Sequence, residues 1–186
     1  MTLEEQLAKL AEQGITLNEG ITIDDLLYSF GRNVYESEPF NILLSMLGAE
    51  VEHAPWGRAI CSRVWTFDTE CIYQTGDYTK IVKRLCVVAG QPDLISNIED
   101  FVDLEAGIAW LRYMIDGHEQ TWSLEVNDDW ADTLTLVQIM ADIEREGYRF
   151  YAKNAGQTMT FYYLDAAIAA EINAVSNNVL QPMTPV

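Results

Sequence analysis

The side chains of this chain with the most chemistry to offer are closely set carboxylates. Asp68 and Glu70 share one face of an extended stretch and Asp77 follows them; Asp100, Asp103 and Glu105 form a second group, and Asn127, Asp128 and Asp129 a third. Oxygen ligands from several positions are what a hard divalent cation requires, and two carboxylates a few ångströms apart can share acid and base roles, as in glycoside hydrolysis. None of the groups has the spaced ligands, central glycine and terminal glutamate of an EF-hand loop. Nucleophilic catalysis has less to build on. The two histidines, His53 and His118, stand in a loop and beside a turn. A Ser-His-Asp or Cys-His site needs one of them next to a nucleophile, and no GxSxG elbow accompanies them. No P-loop, GxGxxG, CxxC or HExxH occurs. The residues therefore name no catalytic, cofactor or metal site, and the first expectation is a protein that binds and does not catalyse.

Charge gives that expectation a direction. The chain has 186 residues and a formal net charge of −18. From Leu85 to Glu144 there are thirteen acids and one Lys or Arg, Arg112, a local charge of −12. Such a density repels nucleic acid and anionic membranes and attracts basic proteins, whose encounter rate it raises. It also works against the folded state, so a basic partner is one way to offset it; a bound cation and spreading over several faces are the others. Within and beside this segment, the residues expected to contact a partner are Asp100, Asp103, Glu105, Asp116, Glu119, Asp128, Asp129, Trp130 and Asp132. Tryptophan beside carboxylates suits such a role, because interface hot spots favour it and exclusion of water strengthens neighbouring charge pairs. The basic cluster Lys80, Lys83 and Arg84 reads as balance for nearby acids.

The elements that must position these residues read as follows. Thr2 and Glu5 form a capping box for a helix ending near Gln13. Thr22 opens a second helix and Ser37-Glu-Pro a third. Ala59 to Ile72 alternates as a strand. Gly76-Asp77 opens a helix with Asp77 as its cap. Ile98 to Leu104 is extended, and Gly107–Ile115 and His118–Val126 are strands joined by Asp116-Gly117, a strong hairpin signal. Asp129 caps a helix running from Trp130 to about Glu146. Tyr148–Ala152 and Met159–Leu164 make a second hairpin, and Asp165 caps the last helix. Hairpins dominate over βαβ order, so the class is α+β, a mostly antiparallel sheet of about five strands packed with helices. Residues 1–50 read as a helical segment packed on the main domain, 51–176 as that α+β domain, and 177–186, with its prolines, as a flexible tail.

Apolar material makes up 49% of the residues, ample for a core. No apolar run nears the roughly 20 residues of a bilayer span, and Met1 to Gln13 is amphipathic, unlike a secretory signal. Three cysteines, Cys61, Cys71 and Cys86, fit reduced core thiols. The expected location is the cytosol. Oligomeric state is left open.

The segments Phe67-Asp-Thr-Glu-Cys-Ile, Gly76-Asp-Tyr, Phe101-Val-Asp-Leu-Glu-Ala-Gly and Trp122-Ser-Leu-Glu-Val-Asn-Asp-Asp-Trp-Ala-Asp resemble a bacterial family of small acidic proteins, the immunity proteins of polymorphic and contact-dependent toxin systems. The resemblance spans about residues 60–175 and transfers no catalytic residue. It implies an acidic protein that docks on the active site of a cognate basic toxin, such as a nuclease, and blocks it by occlusion. Two other readings stay beside it: a metal-dependent hydrolase, if the carboxylate groups converge in a cleft, and a regulatory or scaffolding module.

Overall fold

A computed structural model describes residues 1–184. The chain is α+β, with seven strands divided between two antiparallel sheets. Four helices come first: α1 (Leu3–Ala11), α2 (Ile23–Ser29), α3 (Arg32–Ser37) and α4 (Asn41–Met46). The capping box of α1 is formed, with the Glu5 amide donating to the Thr2 hydroxyl at 3.2 Å and the Thr2 amide to the Glu5 carboxylate at 2.8 Å. The sequence predicts one helix opening at Ser37; the structure has α3 ending there and α4 starting at Asn41. The cause is Pro39, which disfavours helical dihedrals at the residue before it. Glu38 accordingly adopts φ −129° and ψ 84°.

The larger sheet has the order β1-β6-β5-β7, formed by Trp65–Asp68, Thr158–Asp165, Tyr148–Ala155 and Gln181–Pro182. It stands between two cores. Phe150, Ala152, Phe161 and Tyr163 face one; Tyr151, Tyr162 and Leu164 face the other, where α1–α4 and α7 (Ala166–Val175) pack. Burial on both faces explains why Phe161-Tyr-Tyr-Leu is a continuous apolar run without alternation. The smaller sheet, β2 (Ile95–Asp103), β3 (Ile108–Ile115) and β4 (His118–Leu124), shares the first core with α5 (Asp77–Val88) and α6 (Thr133–Ile143).

The Asp116-Gly117 turn is present: Ile115 pairs with His118, and both turn residues have positive φ, 50° and 78°. That is the mirror-image turn whose twist matches the strands it joins.

Several other boundaries differ from those the sequence predicts; of the strand expected over Ala59–Ile72 only Trp65–Asp68 forms, as β1. α5 is capped by Gly76, at φ 102°, a conformation glycine tolerates. Asp77 lies inside the first turn and accepts from the Tyr73 and Gln74 amides. α6 starts at Thr133 with Asp132 as its cap, because residues 127–131 are held elsewhere. The Cys71 and Ile72 amides both donate to the Asp129 carbonyl at 2.9 Å, and the Ala131 amide to the Thr69 carbonyl at 2.8 Å. Residues 177–184, read from the sequence as a flexible tail, are packed. Leu180 is buried, the Asn173 side chain bonds both its amide and its carbonyl, and β7 pairs with β5. Residues 185 and 186, the rest of the expected tail, lie outside the described residues. Among the described residues, no helix is long and apolar enough to cross a membrane.

Candidate functional site

The smaller sheet has one face in the core and one face open. Alternation along β3 sends Ala109, Leu111, Tyr113 and Ile115 inward. Ile108, Trp110, Arg112 and Met114 point the other way. Register puts Phe101 opposite Trp110, Glu99 opposite Arg112 and Asp103 opposite Ile108 on one side, and Glu119 opposite Met114 on the other. Phe101 stacks on Trp110 with ring centroids 6.3 Å apart, and the Arg112 guanidinium lies 6.0 Å from the Trp110 ring centre while pairing with Glu99. The face remains open, with Ile108 53% and Phe101 38% exposed. It is thus an apolar centre, stiffened by a stack and a cation–π contact, inside a set of carboxylates.

The expected contact residues distribute unevenly about this face. Asp103 and Glu119 lie on it. Glu105 is exposed in the β2–β3 turn. Asp128 is exposed and Asp129 half-buried in the loop after β4. Because Val102 and Leu124 both pair with Ala109, that loop leaves the sheet at the same end as the Glu105 turn. Trp130, 40% exposed, joins Glu125 and Leu134 in lining a cavity of about 360 Å³ there. Asp116 stands at the opposite end, with Arg145 3.4 Å away.

Of the nine, Asp100 points inward, and Asp132, half-buried in the lining of the Trp130 cavity, is engaged by the chain's own donors. Asp100 is only 8% exposed. Its carboxylate accepts from the Gly76 amide at 2.8 Å and the Thr79 hydroxyl at 2.5 Å, fastening the start of α5 to β2. Asp132 accepts from the amides of Glu125 and Thr135 and from the Thr135 hydroxyl. Burial opposes its charge, yet these bonds outweigh burial and hold its carboxyl below the usual range. Its place as a helix cap is the reason these donors reach it.

The sequence reading missed the apolar centre. A strand tryptophan such as Trp110 is expected in the core, yet this one faces outward. Ile108 to Ile115 carries apolar residues on both faces, so alternation cannot say which face is the core; the polar partners on β2 and β4 were the available signal.

The carboxylate groups are engaged in part by the chain's own donors. Asp100 is occupied as described, Asp103 accepts from the Ala106 amide, and Asp68 from the Glu70 amide. Among the described residues, no three His, Cys, Asp or Glu side chains are grouped so as to hold a metal ion. Asp77 lines a cavity with Asp68, Cys71 and Lys80; burial resists its charge, but Lys80 and the Tyr73 and Gln74 amides keep its carboxyl low. Burial, then the field of Asp68, Asp77 and Asp129, pushes the Cys71 thiol up to about 11, the opposite of what a nucleophilic thiol needs. His53 bonds Asp25 at 3.0 Å, and among the described residues no Ser or Cys is hydrogen-bonded to either histidine.

The fold and the site together define an α+β protein with an open, acidic, aromatic-centred sheet face. No protein-family model, curated protein or solved structure matches the chain.

Proposed function

We propose that this protein is a non-catalytic binding protein for a basic protein, and that docking occurs on the outer face of β2-β3-β4 and its Glu105–Asp128 end. The observation that carries the reading is the open Phe101–Trp110–Ile108 centre, with Phe101 and Ile108 exposed and Trp110 half-buried between them, bordered by Glu99, Asp103, Glu105 and Glu119, within a segment of thirteen acids and one Lys or Arg. An apolar centre with a polar rim is how protein interfaces are built. Aromatic anchors supply affinity, and rim carboxylates supply steering and register. The motif resemblance leads us to propose further that the partner is a cognate toxin, neutralised by occlusion of its active site without turnover. A nuclease would suit, since a surface made to bind phosphates is basic.

The test is a pull-down with this protein as bait, at low and moderate salt, from lysate of its source and with the products of adjacent reading frames. The expected result is one basic protein, retained less as salt rises, toxic when expressed alone and harmless beside this chain. The triple variant Glu105→Lys, Glu119→Lys, Asp128→Lys should lower affinity at least tenfold while retaining the fold, as read by circular dichroism. Unchanged affinity would remove this face from the interface. Capture of no basic protein would count against the reading and favour a regulatory role.

A further inference from the structure

The two edges of the smaller sheet are finished differently. On the β2 side the edge is closed. The Val102 amide donates to the Thr75 hydroxyl at 3.0 Å, Asp100 grips the Gly76 amide, and a register break between Ser96 and Glu99, with Asn97 at φ 50°, bends the strand. Bulges and covering loops are the usual protection of a sheet edge.

The β4 side has none of these. The two-residue turn makes Ile115 and His118 a hydrogen-bonded pair, and pairs alternate from there along an antiparallel ladder. His118, Gln120, Trp122 and Leu124 therefore direct their backbone groups at β3. Glu119, Thr121 and Ser123 direct theirs outward. All three are exposed, and among the described residues their amides and carbonyls have no hydrogen-bond partner. The middle of the strand, Gln120-Thr-Trp-Ser, contains no proline, lysine, glycine or bulge. The other exposed edges of the fold are shorter: β1 has four residues and β7 two, against seven in β4.

We infer that β4 is a docking edge, to which an extended basic segment of the partner adds as a fourth strand. This rests on the proposed function and specifies how the partner is held. Main-chain bonds to Glu119, Thr121 and Ser123 supply sequence-tolerant affinity, and alternate side chains supply specificity. Side chains on the outer face of the added strand meet Glu119 and, one strand further in, Met114, Arg112 and Trp110, and those on the other face meet His118, Gln120 and Trp122, so Lys or Arg on the outer face beside Glu119, alternating with apolar residues on the other, fits. The charge works against the obvious rival occupant: two copies joined edge to edge would each bring −18.

The probe is a capped nonapeptide of alternating lysine and valine, compared with a diastereomer carrying D-residues at alternate positions. The two have the same composition and charge, but the second cannot keep a pleat beside an L-strand. The L-peptide should bind at least tenfold more tightly. Binding should slow amide hydrogen exchange at Glu119, Thr121 and Ser123 at least tenfold in the unmodified protein. Thr121→Pro removes an outward amide at a place where an edge strand tolerates proline, and should lower L-peptide affinity at least tenfold. Should that variant fail to fold, the exchange measurement decides. Equal, salt-sensitive binding of both peptides without protection of those amides overturns strand addition while leaving a charged docking face intact. No binding of either peptide at millimolar concentration also overturns it, and the pull-down then judges the proposed function separately. Dimerisation of the protein alone, abolished by Thr121→Pro, would assign the edge to a second copy and overturn the inference.

Discussion

Replacing Asp100 by alanine separates a structural carboxylate from a docking one. Asp100 is almost fully buried and holds two donors, the Gly76 amide at 2.8 Å and the Thr79 hydroxyl at 2.5 Å. Hydrogen bonds to a charged group contribute about 1.5–3 kcal/mol each, and an amide left buried and unpaired costs about 1–3 kcal/mol. Removing the charge returns part of this, because its desolvation is also relieved. The expected net loss is about 2–4 kcal/mol. With a urea dependence of about 2 kcal/mol per molar, the unfolding midpoint should fall by roughly 1–2 M. Asp100→Asn, which keeps one acceptor but turns a donor toward a donor, should recover less than half. Glu105→Ala, in an exposed turn, should stay within about 0.5 kcal/mol, as surface changes do. Equilibrium urea unfolding of the three variants, followed by tryptophan fluorescence, reads all of this. A midpoint for Asp100→Ala within about 0.3 M of the parent would refute the reasoning, because it would mean that neither bond fastens α5 to β2.

Two further outcomes follow from other parts of the fold. A Cβ on Gly48 would stand 2.3 Å from the Thr66 hydroxyl and 3.0 Å from the Thr66 backbone nitrogen. Gly48→Ala should therefore cost at least about 2 kcal/mol by overpacking, seen as a melting temperature several degrees lower; an unchanged value would show that α4 is free to withdraw from β1. Stability should also depend on pH in two opposed ways. Asp77 and Asp132 have carboxyls held below their ordinary range, so the unfolded chain takes up their protons first on acidification. What they contribute is complete above the unfolded value near about pH 4 and is lost as pH falls through the lower folded values. The net charge of −18 acts the other way, since protonating other acids relieves repulsion. Thermal unfolding should show a rise from pH 7 to about pH 5 and a steep fall below about pH 4. Salt at about 0.5 M should raise the pH 7 value more than the pH 5 value, and a steady decline on acidification from pH 7 would contradict the balance.

Where a signal is local, the sequence was a sufficient guide. The capping box of Thr2 and Glu5 and the Asp116-Gly117 turn depend on residues three or fewer apart, and both form as their chemistry requires. The α+β class followed from hairpins of the same kind. Signals that need a distant partner were not legible. Asp129 and Asp132 are equivalent as caps until residues 69–72 claim the backbone of the first. The 177–184 segment reads as loose until Asn173 meets Leu180 and β5 accepts β7.

By itself, then, the sequence determined the charge, its concentration between Leu85 and Glu144, and the ends of the most local elements, because composition and short-range hydrogen bonding need no fold. Only the tertiary structure decided which face of β3 stays open, that Asp100 turns inward and Asp132 caps a helix while Glu105, Glu119 and Asp128 remain outside, and that the β4 edge is left unpaired. A strand with apolar residues on both faces carries no record of which one will meet a core. A carboxylate's role is set by the donors that reach it, and here those donors come from elements up to 24 residues away along the chain.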